Sequence, residues 1–65
     1  MKRRRLVSVI VPTRDRPTLL RKALASIRAL EGPDLRFEIL VGDNGNSPEN
    51  KSIAAEFGGF YLRIA

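Results

Sequence analysis

Cysteine, histidine and tryptophan are all missing from these 65 residues. Without cysteine no disulfide can staple a small fold, and without either metal-binding side chain the usual zinc sites are excluded. The aromatic residues are few: Phe37, Phe57, Phe60 and Tyr61. All four read as core or strand residues, so no stacking platform interleaves with the basic side chains as a single-stranded nucleic-acid binder requires. No apolar run approaches the roughly 20 residues that cross a bilayer. The opening MKRRRLVSVIVP imitates a signal peptide, but it lacks a small-residue cleavage site, and Pro12 followed by TRDR ends the apolar run early. It reads as mature sequence, and a cytoplasmic location is expected.

What is present is short and basic. A chain of this size buries only about 60% of the surface its unfolded form exposes. It therefore needs a staple, a partner or an unusually good core, and the sequence supplies no staple. A portion of a larger domain, or a homo-oligomer, is the expectation. The net charge of +5 is uneven: residues 1–28 carry nine basic side chains and one acid, and residues 29–65 carry three basic side chains and six acids. A basic half suits a nucleic acid, an anionic membrane surface or a phosphorylated small molecule, although a run such as KRRR is ordinarily a solvated tail.

The pattern along the chain alternates. Leu6 to Val11 is apolar except for Ser8 and β-branched in four of its six places; it lacks the alternation of a half-exposed strand, which predicts a strand covered on both faces and closed by Pro12. Leu19, Leu20, Ala23, Leu24, Ile27 and Leu30 recur at helical spacing, with Arg21, Lys22, Arg28 and Glu31 on the other face. Asp15 is placed to cap this helix, Pro17 fits its first turn, and Gly32 with Pro33 ends it through a left-handed glycine. Phe37 to Val41 predicts a second strand. Pro48 opens a second helix capped by Asn46 or Ser47, with Ile53, Ala54 and Phe57 as its apolar contacts, and Gly58 and Gly59 stop it. Phe60 to Ile64 predicts a third strand. The fold class is α/β: a β-α-β-α-β unit with three parallel strands in the spatial order 3-2-1, half of a Rossmann-like doubly wound sheet.

In such sheets ligands bind beyond the carboxyl ends of the strands. Two loops meet there, PTRDR after the first strand and GDNGN after the second. Neither carries a glycine-rich phosphate fingerprint. They offer side chains instead: Pro12, Thr13, Arg14 and Arg16 from one, Asp43 and Asn44 from the other. Asp43 or Asn44 can accept a hydrogen bond from a base N–H or a ribose hydroxyl, and an arginine can stack on a base or pair with phosphate. The same Asp and Asn residues are also favoured turn formers with no ligand at all, so composition alone leaves a nucleotide crevice and a plain loop both open.

VSVIVPTRDRPTLLRKALASI followed by FEILVGDNGNS resembles the N-terminal segment of the family 2 inverting glycosyltransferases, which have the glycosyltransferase-A fold. The resemblance covers residues 6 to about 64 and rests on two linked motifs. It implies that residues 1–65 are the nucleotide-binding front of a nucleotide-diphospho-sugar transferase domain, incomplete as given. Pro12, Thr13 and Arg14 map to the base pocket, and Asp43 and Asn44 to the acidic pair that contacts the base. Arg14 replaces the usual stacking aromatic, and Asn44 the usual second aspartate. A UDP-sugar is the first donor expected. The family's Asp-x-Asp motif, which holds Mg or Mn against the diphosphate, and its general base lie further along than residue 65, so no metal ligand and no catalytic residue is assigned within the chain. Transfer of a sugar to an acceptor hydroxyl is the activity implied for the parent, and peripheral membrane association of the parent is among the expectations; the 65 residues alone are expected to be inactive. Two alternatives stand beside this reading: a non-catalytic α/β unit associating through its open sheet, and a small basic nucleic-acid-binding module.

Overall fold

The computed structural model describes residues 5–64; Lys2 to Arg4 of the basic run lie outside that span. Five elements follow in order: β1 (Arg5–Thr13), α1 (Pro17–Ala29), β2 (Leu35–Asp43), α2 (Pro48–Glu56) and β3 (Phe60–Arg63). The strands form one parallel sheet in the order β1-β2-β3, the expected 3-2-1 arrangement. Val9 pairs with Ile39, Val11 with Val41 and Thr13 with Asp43; Tyr61 continues the Val41 row and Arg63 the Asp43 row. Because side chains alternate along a strand, these rows share one face. Both helices pack on it: Leu20 and Leu24 of α1 and Ile53 and Ala54 of α2 are buried with Ile39 and Val41, and Val11, Ile27, Phe37, Phe57 and Tyr61 complete the core.

Several local expectations are corrected. β1 is not covered on both faces, since Leu6 and Ile10 are largely exposed on the side away from the helices. Pro12 does not end β1, which runs on to Thr13; an edge strand tolerates a residue with no N–H to give. Leu19 and Leu30 of the α1 stripe are more than half exposed. Gly32 is not a left-handed cap: α1 ends at Leu30 in right-handed geometry, and Gly32 instead bridges to Leu35. Gly58 does adopt the left-handed conformation, with φ of 71°, just past α2.

Arg28 and Glu31, expected on a solvated face, form a clamp. The Arg28 guanidinium donates to the carbonyls of Phe37 (2.8 Å), Phe57 (2.8 Å) and Gly58 (3.3 Å), and to Glu31 Oε2 (2.8 Å). The backbone N–H of Phe37 donates to the same Glu31 oxygen at 2.7 Å. One side chain thus ties the end of α1 to the start of β2 and the end of α2. The Phe37 N–H, then the Arg28 and Arg36 charges, hold the Glu31 carboxyl below its ordinary range against the opposing effect of burial.

Candidate functional site

The carboxyl ends of β1 and β2 bring the two polar loops together. The Asn44 N–H donates to the Thr13 carbonyl at 2.9 Å, extending the β1–β2 ladder one step into the loops. Beside this junction lies an open cleft of about 480 Å³ lined by Val11, Pro12, Thr13, Arg14, Arg16, Leu19, Leu20, Ala23 and Asn44, a size within the range of small-molecule sites. Its floor is apolar and its rim carries two guanidinium groups, a hydroxyl and an amide. Leu19 explains its exposure here, since it lines the cleft wall. No spacing rule separates such a wall residue from a core residue.

Of the six residues singled out in the sequence, five line this cleft: Pro12, Thr13, Arg14, Arg16 and Asn44. Asp43 does not. It is fully buried, and its carboxylate is surrounded by protein donors. Oδ1 accepts the Gly45 N–H at 2.8 Å, an Asx-turn. Oδ2 accepts the Tyr61 hydroxyl at 2.6 Å and the Asn50 amide at 3.4 Å. The Tyr61 hydroxyl is the main influence holding the Asp43 carboxyl below its ordinary range, helped by the Gly45 and Asn50 donors and by the Arg63 charge, while burial works the other way. The same bond raises the Tyr61 hydroxyl above its ordinary value. Asp43 thus shapes the loop from below, and its neighbour Asn44 faces the cleft.

Asn50 and Tyr61 were not recognisable as site-supporting residues in the sequence. Asn50 is fully buried in the first turn of α2, where a polar residue ordinarily reads as solvated. Only the register Tyr61↔Val41, two pairs before Asp43 and so on the same face of the sheet, places the phenol under the loop.

Asp15 is a second correction. Arg16, not Asp15, is the N-cap of α1, and no side chain bonds to that helix start. The Asp15 carboxylate instead accepts the Asn46 N–H across the junction at 2.8 Å. Ser47 takes the N-cap position of α2, again with no side-chain bond, and Asn46 accepts from Arg63 Nη2 at 2.8 Å.

Among the described residues no three acidic side chains converge to hold a metal ion, and Asp43, the one acid at the strand ends with a buried carboxylate, is already filled by N–H and O–H donors. No helix among the described residues is long and apolar enough to cross a membrane.

Comparison with known proteins agrees with the geometry. The model for glycosyl transferase family 2 matches residues 8–65, which takes in both loops and all five elements from within β1 onward. A curated relative, the GalNAc(5)-diNAcBac-PP-undecaprenol beta-1,3-glucosyltransferase of Campylobacter jejuni subsp. jejuni serotype O:2, is 47% identical over 47 residues, which make up 72% of this chain and 15% of that protein. No solved structure matches the chain. With the parallel half-sheet, the paired loops and the family match all covering the same residues, the chain belongs to glycosyl transferase family 2.

Proposed function

We propose that the cleft at the ends of β1 and β2 receives the nucleotide end of a sugar donor, and that the parent enzyme moves the sugar from this nucleotide diphosphate to an acceptor hydroxyl. The observation that carries this reading is the cleft itself: an apolar floor of ligand size rimmed by Thr13, Arg14, Arg16 and Asn44. Arg14 presents a planar guanidinium on which a base can stack. The exposed Asn44 amide can both donate to and accept from the edge of a base, and uracil is the first choice. Arg16, which lines the cleft at the start of α1, has a guanidinium that can pair with phosphate. The name of the relative, a glucosyltransferase, supports a hexose on the donor. Among the described residues no three acidic side chains converge on one point, and in this reading the chain contributes donor binding, with the Mg or Mn ion and the general base belonging to the rest of the whole enzyme.

Titration of the ¹⁵N-labelled chain with UDP tests this. Amide shifts confined to Thr13, Arg14, Arg16 and Asn44 are expected, and Arg14→Ala and Asn44→Ala each weaken binding by about tenfold. Shifts centred on the N-terminal basic run and erased by salt would replace a base-directed site with general electrostatic attraction.

A further inference from the structure

Asp15 stands at φ of 42°, a left-handed conformation that few residues other than glycine adopt, although aspartate tolerates it better than most. An outlier of this kind persists only where surrounding structure holds it. What holds it is the opposite loop. Asp15 Oδ1 accepts the Asn46 N–H at 2.8 Å, and Gly45 lies directly against it. A Cβ on Gly45 would fall 2.4 Å from Asp15 Oδ1 and 2.8 Å from the Asp15 backbone nitrogen. The two loops therefore interlock, and one of them must lack a side chain at the contact.

The bond also replaces a local alternative. α1 has no side-chain cap, and Asp15 is the type of residue that would supply one; its carboxylate is spent 31 residues away instead. Two crosslinks result, Asn44 N–H to Thr13 carbonyl and Asn46 N–H to Asp15 carboxylate. Arg14 lies between them on one loop, and Asn44 is itself the donor of the first crosslink on the other; these are the two rim residues with the chemistry to grip a base.

From this geometry we propose that Asp15 is a positioning residue: its carboxylate latches the β2–α2 loop onto the β1–α1 loop and fixes Arg14 and Asn44 at one separation across the cleft. The inference rests on the nucleotide reading for its consequence, but not for its test. Asn preserves an acceptor oxygen and tolerates the left-handed backbone; Gly relieves the backbone and removes the acceptor; Ala removes the acceptor and keeps the strain.

Hydrogen exchange at the Asn46 amide reads the latch directly, and UDP titration reads its effect. Asp15→Ala and Asp15→Gly are expected to speed Asn46 exchange at least tenfold and to weaken UDP by about tenfold. Asp15→Asn should stay within about threefold of the parent in both. Asp15→Gly keeps the test valid if the alanine variant unfolds, because its backbone prefers the observed conformation. Unchanged Asn46 exchange in Asp15→Gly would overturn the latch. So would a loss in Asp15→Asn equal to that in Asp15→Ala, since the acceptor would then be irrelevant. If the parent chain binds no UDP, the nucleotide reading fails, while Asn46 exchange still decides the latch.

Discussion

Asp43 and Asn44 share a motif and divide its work. The Asp43 carboxylate accepts three hydrogen bonds inside the protein, whereas Asn44 is exposed on the rim of the cleft. That division has a pH signature. The folded state holds the Asp43 carboxyl below its ordinary range, so the fold favours the ionised form. The resulting stability is fully present above the ordinary carboxylate value, about pH 4, and is lost as pH falls through the lower folded value. Tyr61→Phe removes the largest influence on Asp43 and should raise its value toward the ordinary one. The expected outcome is a variant less stable than the parent at neutral pH, with a gap that narrows as both are acidified below about pH 4. Glu31 is lowered as well, so the difference between the two proteins, not the acid curve of either, isolates Asp43. Circular dichroism of thermal unfolding at a series of pH values measures it. A gap independent of pH would mean that the phenol contributes only packing. None of this was legible from the sequence, where Asp43 and Asn44 are equally plausible ligand contacts; what separates them is the pleat, which turns Asp43 toward the helices and Tyr61.

At the scale of elements, the strands and helices were legible because apolar periodicity and the proline and glycine punctuation agree. Pro17 and Pro48 each stand at the first position of a helix, as proline's fixed φ favours. The ends were less legible, and for one reason. Asp15 and Gly32 were read by local rules, yet Asp15 answers to Asn46 and Gly32 to Leu35. Arg28 is the sharpest case: its helical position says surface, but its partners are three carbonyls from two distant segments. A lysine there keeps the charge and loses the planar fork that reaches them. Arg28→Lys is expected to cost about 1–3 kcal/mol through carbonyls left short of donors. Against a total stability of roughly 3–10 kcal/mol for a chain of this length, that is a large fraction. A fall in unfolding midpoint of several degrees, at least 4 °C or so, is the expected reading. An unchanged midpoint would show that water serves those carbonyls equally well.

The molecule as a whole covers one face of its sheet and leaves the other bare among the described residues. On the bare face the register aligns Ile10, Leu40 and Phe60 in one row and Pro12, Gly42 and Leu62 in the next, with Ile64 beyond, packed near Gly42. Ile10, Phe60, Leu62 and Ile64 are each more than half exposed. Further down the same face Arg36 and Glu38 project two residues apart, one of each sign. Such a surface suits a second copy of itself: the apolar rows bury each other, and a twofold arrangement sets each Arg36 toward the partner's Glu38. It offers little to a polyanion, which would meet Glu38 beside Arg36 and a field of apolar side chains. The 65-residue chain on its own is therefore expected to self-associate through this face, while the cleft at the strand ends and against α1 stays open. Sedimentation equilibrium should give a mass above the 7.3 kDa of one chain, rising with concentration. Ile10→Lys combined with Leu62→Lys, which places four like charges in the paired face, should return the monomer mass and leave UDP binding unchanged. A parent chain that sediments as a monomer at every concentration would refute the pairing, and the bare face would then be stable in water despite its apolar rows.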